Sequence, residues 1–127
     1  MPASILAAHT SEAILVARIG PIVYKLLRPP EFFATHPNWK LRMSRDDWLS
    51  EVRRRVEVSH RWPLLNPLLF CASLNVVVSR FVAGRRPSAD ELQSVCNATD
   101  RLGIGDVSQS NCLVTSAGPV VIDWVMR

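Results

Sequence analysis

The stretch that decides the fold is Ala13-Ile14-Leu15-Val16-Ala17-Arg18-Ile19-Gly20-Pro21-Ile22-Val23-Tyr24-Lys25-Leu26-Leu27. It contains two apolar runs rich in β-branched residues, separated by a Gly-Pro pair, which is typical of two strands joined by a turn. A similar run, Ile5–Ala8, precedes it and is separated from it by polar residues. These three runs predict three consecutive strands near the start of the chain.

A long helix is the next predicted element. Ser44 is suited to cap it, and the two aspartates that follow, Asp46 and Asp47, lie where the helix dipole favours negative charge. The helix is expected to run to about His60. One sector of its helical wheel gathers Trp48, Leu49, Val52, Val56 and Ser59. Between the third strand and this helix, through Arg42, the apolar residues show no regular spacing. This predicts a loop with at most short helical turns.

The second half of the chain alternates strands, a helix and a hairpin. Leu68–Ala72 and Val76–Val82 are predicted as strands. Ser88 and Glu91 form a capping-box pattern that opens a helix, which Gly103 and Gly105 terminate. The apolar runs 112–114 and 120–122 flank a turn-rich tetrapeptide and predict a hairpin. The predicted fold class is α+β, with a five-stranded antiparallel sheet and one long helix in residues 1–83, and one helix and a β-hairpin in residues 84–127.

Length and composition limit the classes of protein. With 127 residues, 48% of them apolar, the chain predicts a single folded domain and excludes a multidomain assembly and a disordered segment. No basic segment with a long apolar run follows the N-terminus, and the most apolar segment, Pro67–Ala83, is interrupted by polar residues. A cytoplasmic protein without a membrane span is expected. The three cysteines show no metal-ligand spacing and are expected to be reduced.

The net charge of +4 is too mild to identify a partner. Of the 15 basic residues only Lys25 and Lys40 are lysines, so a lysine on the third predicted strand stands out. The run Arg53-Arg54-Arg55, with Arg45 and Arg61 nearby, suggests either a nucleic-acid surface or a solvated helix face. The second interpretation is favoured, because no aromatic-interleaved basic strand or zinc-finger spacing accompanies the arginines.

The most informative motif lies near the C-terminal end of the sequence. Gly105-Asp106 is followed by Asn111, an apolar strand, a turn, a second apolar strand and Ile122-Asp123-Trp124. This pattern resembles the catalytic loop and metal-binding strand end of the protein-kinase-like superfamily, closest to small-molecule kinases of the aminoglycoside and choline phosphotransferase and lipopolysaccharide-core kinase types. The resemblance implies that Asp106 is the catalytic carboxylate and that Asn111 and Asp123 hold Mg²⁺. The alternative is that these are ordinary turn and strand-end residues.

The same resemblance implies a lysine on the third strand that pairs with a glutamate on the next helix. Lys25 occupies that strand, and Glu51 is the preferred partner over Glu57 because it lies at the edge of the apolar sector of the helix. The alternatives are that Lys25 is a surface charge and that Glu51 pairs with Arg54 or Arg55 on a solvated face.

A nucleotide site follows from the same comparison. The predicted strand ending at Val82 resembles the fifth strand and hinge of the superfamily, so backbone groups of Arg80, Phe81 and Val82 would bind adenine. A plain buried strand explains these residues equally well. The implied cofactors are ATP and Mg²⁺, bound with Lys25 in the cleft between the two lobes, residues 1–83 and 84–127.

The sequence departs from the superfamily in three places. The segment Ala8–Ala13 contains no glycine to approach phosphate closely, Ile104 stands where the catalytic loop carries histidine, and the sequence ends three residues after Trp124. The predicted function is a minimal ATP- and Mg²⁺-dependent phosphotransferase acting on an unidentified hydroxyl acceptor. A protein partner or a second copy is expected to supply the missing acceptor-binding part. The alternatives are a pseudokinase-like module that binds nucleotide or protein for regulation, and a basic protein that binds nucleic acid or an acidic surface.

Overall fold

The computed structural model describes residues 3–39 and 42–126, which form a mixed α+β structure with a five-stranded antiparallel sheet and three α-helices. The strands of the sheet are β1 (Ala3–Ala8), β2 (Ala13–Ile19), β3 (Ile22–Leu27), β4 (Leu68–Cys71) and β5 (Val76–Arg80). Their order is β1-β2-β3-β5-β4, and every neighbouring pair is antiparallel. The predicted α+β class and antiparallel sheet are confirmed.

The helices are α1 (Pro30–Ala34), α2 (Arg45–Ser59) and α3 (Ala89–Arg101). α1 begins with proline at its first position, where a missing N–H costs nothing, and it is the short helical turn expected in this segment. The capping box of α3 is confirmed, because the Ser88 hydroxyl accepts from Glu91 N–H at 3.2 Å and the Glu91 carboxylate accepts from Ser88 N–H at 2.9 Å.

The chain divides into two compact units. The first unit comprises the residues up to Val56 together with Leu68–Phe81, and the second comprises Glu57–Pro67 and the residues from Val82 onward. The five-stranded sheet belongs to the first unit. Its core cluster contains Leu27 and Val77 from the sheet, Phe33 from α1, and Trp48 and Val52 from α2, with Phe33 and Trp48 stacked at a ring-centroid distance of 4.1 Å. Apolar burial therefore attaches α2 to the sheet.

The second unit contains α3 and two small strand pairs. β7 (Cys112–Thr115) and β8 (Gly118–Val121) form the predicted hairpin, while β6 (Ile104–Gly105) pairs with β9 (Val125–Met126). The β6–β9 pair was not predicted, and Gly105, expected only to terminate a helix, lies in a strand. Two-residue strands are too short to show an alternating pattern of apolar and polar residues, so the sequence gives no local signal for them.

Two further predictions need correction. Arg55 was expected on a solvated face with its neighbours. The residue as a whole is only 9% exposed, whereas Arg53 and Arg54 are exposed. The reason is that acidic side chains in the first unit bind its guanidinium, as described below. The strand β5 ends at Arg80 and not at Val82, because Arg80 pairs with Ile22, the first residue of β3, and beyond it only the N–H of Phe81 reaches the carbonyl of Pro21, at 2.8 Å.

The three cysteines are free thiols, with Cys112 buried and Cys71 and Cys96 partly buried. Burial raises the pKa of the Cys112 thiol, which keeps it protonated at neutral pH. Among the described residues, no helix has both the length and the apolar character needed to cross a membrane.

Candidate functional site

Four charged side chains connect the sheet to α2 within the first unit. The guanidinium of Arg55, on α2, donates from Nη1 and Nη2 to the two carboxylate oxygens of Glu12, each at 2.9 Å. Its Nε donates to Oε1 of Glu51, one helical turn earlier, at 3.0 Å. The Nζ of Lys25, on β3, lies 3.6 Å from Oε2 of Glu12. These four residues, named the charged cluster, combine two cations with two anions.

The charged cluster is largely withdrawn from solvent. Its side chains are between 10% exposed for Arg55 and 22% exposed for Lys25. Burial raises the pKa of Glu12, but the hydrogen bonds and charge of Arg55, together with Lys25, outweigh burial and hold the pKa below its ordinary value of 4.5. Burial lowers the pKa of Arg55, while Glu12 and Glu51 raise it above the ordinary value. Charge-assisted hydrogen bonds therefore keep both partners ionised.

The turn between β1 and β2 places Glu12 in the cluster. His9 has a positive φ of 53°, which turns the chain sharply. The Thr10 hydroxyl accepts from the N–H of Ala13 at 3.0 Å, and the carbonyl of Glu12 accepts from the N–H of Arg28 at 2.8 Å. These bonds hold the backbone around Glu12 against the segment that follows β3.

The cluster brings together Lys25 and Glu51, which the sequence predicted as partners, and links them through Glu12 and Arg55. The contact between Glu51 and Arg55 agrees with the alternative prediction that a nearby arginine binds Glu51. That contact lies at a largely buried position and not on a solvated face.

Glu12 and Arg55 were not predicted as site residues. The four-residue spacing of Glu51 and Arg55 is a signal for a helical ion pair and could have identified Arg55. Glu12 is 43 positions from Arg55, and no local pattern in the sequence connects them.

A cavity of about 750 Å³ lies beside α2 in the first unit. Its lining includes Asp47, Ser50, Glu51 and Arg54, which stand at positions i, i+3, i+4 and i+7 and therefore share one stripe of the helix. Glu51 thus belongs both to the charged cluster and to the wall of this cavity.

The three predicted adenine-binding residues differ in their surroundings. Arg80 ends β5, and Phe81 follows with its N–H already bonded to Pro21. The guanidinium of Arg18 lies 3.6 Å from the centroid of the Phe81 ring, which fixes this side chain against the sheet. Val82 is partly buried, and no other described residue makes a hydrogen bond with its backbone. Val82 is therefore the position with backbone groups available to a ligand.

In the second unit, strand pairing brings the remaining predicted residues together. Asp106 directly follows β6, and Asp123 lies two residues before β9, the strand that pairs with β6. The side-chain Nδ2 of Asn111 donates to the carbonyl of Asp106 at 2.9 Å. The carbonyl of Asn111 accepts from the N–H of Ile122 at 2.9 Å. Asn111 is thus bonded to Asp106 and to the residue that precedes Asp123, and these three residues are named the loop group.

The loop group presents oxygen atoms of different kinds. Asp106 is exposed, and Asn111 and Asp123 are partly buried. Because Nδ2 of Asn111 is the donor to Asp106, its Oδ1 remains as an acceptor or metal ligand. In the described part of the chain, no group of three or more His, Cys, Asp or Glu side chains is placed to hold a metal ion. Mg²⁺ commonly takes only one or two protein oxygens when phosphates and waters complete its shell.

Comparisons with known proteins add no assignment to this geometry. No protein-family model matches the chain, and no curated protein matches it. The chemistry of the site is therefore argued from the charged cluster and the loop group.

Proposed function

We propose that the chain is a kinase-like phosphotransferase that uses ATP and Mg²⁺ and acts on a hydroxyl acceptor. The observation that carries the proposal is the grouping of Asp106, Asn111 and Asp123 by strand pairing and hydrogen bonds within the second unit. Phosphoryl transfer requires a carboxylate near the acceptor hydroxyl and oxygen ligands for the metal, and the loop group supplies both kinds.

Each member of the loop group has a role in this proposal. Asp106, with its exposed carboxylate, orients the acceptor hydroxyl and accepts its proton. Asn111, through Oδ1, and Asp123, through its carboxylate, hold Mg²⁺. When bound, the metal neutralises the negative charge of the phosphates during transfer.

Nucleotide recognition is assigned to Lys25 and to the segment from Arg80 to Val82. Lys25 provides a positive charge for phosphate and is held in place by the charged cluster. The free backbone groups of Val82, where the chain passes into the second unit, are suited to hydrogen bonds with adenine, with Arg80 and Phe81 beside them. Since the N–H of Phe81 is already bonded, adenine recognition is assigned mainly to Val82.

The proposal is tested with a thermal-shift titration of ATP, with and without Mg²⁺, followed by an assay of ATP turnover. We expect Mg²⁺-dependent stabilisation by ATP that Asp123→Asn and Lys25→Met weaken, and turnover that Asp106→Asn and Asp123→Asn abolish. Asp90→Asn, which changes an exposed aspartate on α3, is the matched control and is expected to behave as the unaltered protein. The absence of both ATP binding and turnover would reject the proposal.

A second candidate function is a pseudokinase-like regulatory module that binds nucleotide or protein without turnover. The observation that favours it is the position of Glu12, because the glycine-free turn between β1 and β2 delivers a carboxylate to Lys25, the residue assigned to phosphate. ATP-dependent stabilisation without turnover, unaffected by Asp106→Asn, would support this function over the first.

Nucleic-acid binding through the arginine-rich helix loses support. Arg55 is buried in the charged cluster, Arg45 pairs with Glu31, and Arg61 pairs with Glu57. Arg45 and Arg61 are exposed like Arg53 and Arg54, but a glutamate partly neutralises each of them, so the helix does not present a concentrated basic surface for a phosphate backbone.

A further inference from the structure

Arg55 presents its guanidinium in a defined orientation. Glu51 accepts from Nε at 3.0 Å, and this bond sets the plane of the group. The two terminal nitrogens, Nη1 and Nη2, point together at a single carboxylate, that of Glu12. Lys25 approaches the same carboxylate at Oε2. Three nitrogen donors from two cations thus converge on one anionic group of the chain itself.

Such a set of donors suits phosphate as well as carboxylate. Two parallel N–H groups of arginine bind two oxygens of either anion in the same fork geometry, and a lysine ammonium adds a point charge. A phosphate group carries more charge and more acceptor oxygens than a carboxylate, so it competes well for the same donors once they are accessible.

We propose that Arg55 and Lys25 form a phosphate-binding site that Glu12 fills in the free protein. A ligand bearing a phosphate group binds there by displacing the Glu12 side chain. The inference rests on the proposed function for the identity of the natural ligand, a nucleotide, whereas the site itself follows from the geometry of the charged cluster. Glu12 is then an internal competitor that lowers the apparent affinity for phosphate, because only molecules with the side chain displaced are competent to bind.

The local structure allows this displacement without unfolding. The backbone of Glu12 is held by the bond from Arg28 N–H to its carbonyl, while its side chain is 21% exposed. Glu12 precedes β2, so rotation of its side chain breaks no pairing between strands. After rotation, Glu51 still holds Nε of Arg55, and Nη1 and Nη2 remain directed at the vacated position.

The direct test is isothermal titration of inorganic pyrophosphate into the full chain and its Glu12→Gln variant. Removal of the competing carboxylate is expected to increase pyrophosphate affinity at least about tenfold. Glu31→Gln is the matched control, because it removes the same charge from an exposed ion pair with Arg45 in the same unit. The gain in pyrophosphate affinity should disappear in the double variant that carries both Glu12→Gln and Lys25→Met. A folded Glu12→Gln variant with the affinity of the unaltered protein or of Glu31→Gln would overturn the inference.

A second variant keeps the test decisive if Glu12→Gln does not fold, as judged by circular dichroism. Glu12→Asp retains the charge but is one methylene shorter, so it should hold Arg55 less well and give a smaller gain in pyrophosphate affinity. An unchanged affinity in folded Glu12→Asp would then count against the inference.

The outcomes also separate this inference from the proposed function. ATP binding by the unaltered protein that Glu12→Gln leaves unchanged would support nucleotide binding and reject the competing role of Glu12. A gain in pyrophosphate affinity without any binding of ATP would support the phosphate site and reject the nucleotide function.

Discussion

At the scale of single residues, Asp106 has a backbone conformation that limits how its chemistry can be tested. Its φ is +59°, in the left-handed region, where asparagine and aspartate are tolerated and residues such as alanine are strained. We expect Asp106→Asn to retain the stability of the unaltered protein and Asp106→Ala to lose about 1 kcal/mol in free energy of unfolding. Urea unfolding of both variants checks this, and equal stabilities would show that the positive φ carries no strain. Loss of activity is therefore better measured with Asp106→Asn.

Arg55 and Arg54 are adjacent arginines in opposite environments. Arg55→Met removes three charge-assisted bonds and takes the Arg55 cation away from the largely buried carboxylates of Glu12 and Glu51, so we expect a loss of about 3 kcal/mol in free energy of unfolding. Arg54→Met, at an exposed position, should change the free energy of unfolding by less than about 0.5 kcal/mol. Urea unfolding at neutral pH distinguishes the two, and similar losses in both variants would contradict a structural role of the charged cluster.

At the scale of elements, the capping box accounts for where α3 begins. The Ser88 hydroxyl bonds the N–H of Glu91, and this N–H has no partner within the helix. Ser88→Ala should therefore cost about 1 kcal/mol, whereas Ser94→Ala, at an exposed position inside the same helix, should be neutral or slightly stabilising. Thermal unfolding of the pair measures the difference. If the two variants unfold at the same temperature, the cap does not contribute to the stability of the helix.

The elements that could be predicted from the sequence are those whose signals are local. The apolar runs of β2 and β3, the acidic first turn of α2 and the capping box of α3 each depend on residues a few positions apart, and all three are confirmed. The pairing of β6 with β9 joins residues far apart in the chain through only two residues each. Tertiary packing decides that pairing, and the spacing of apolar residues along the sequence carries no information about it.

The same distinction applies to the candidate site. The pairing of Lys25 with Glu51 was an expectation of the resemblance to the protein-kinase-like superfamily, and the charged cluster links the two residues through Glu12 and Arg55. The bidentate contact of Glu12 with Arg55 could not be predicted, because it requires the turn before β2 and the middle of α2 to meet in three dimensions. This contact explains why Arg55 is buried and does not lie on the expected solvated face.

At the scale of the whole molecule, acidic residues divide into two roles. The sequence has five glutamates, and each forms an ion pair with an arginine: Glu12, Glu31, Glu51, Glu57 and Glu91. The aspartates of the loop group follow or precede short strands instead, and those of α2 lie in its first turn. Glutamates thus neutralise arginines within each unit, and the net charge of +4 is what remains of the 15 basic residues after the 11 acidic residues are counted.

These ion pairs predict how the stability of the whole protein depends on pH. The pKa of Glu12 lies below 4.5 in the folded state, and Arg85 with the Ser88 backbone lowers that of Glu91 to about 2. Between these folded values and the ordinary value of 4.5, the unfolded chain binds more protons, so stability must increase with pH in this window. The contribution of Glu12 is complete above pH 4.5 and is lost as the pH falls through its folded pKa.

A pair of variants isolates the part that Glu12 contributes. Glu12→Gln should lower the free energy of unfolding by about 2 kcal/mol at neutral pH, because a charge-assisted contact with a largely buried arginine is lost. That difference should shrink as the pH falls below 4.5, since protonation removes the same charge from the unaltered protein. Urea unfolding between pH 7 and 3 measures it, with the exposed Glu31→Gln as the control that changes stability little at any pH. A difference that stays constant across this range would mean that Glu12 stabilises the fold through packing and not through its charge.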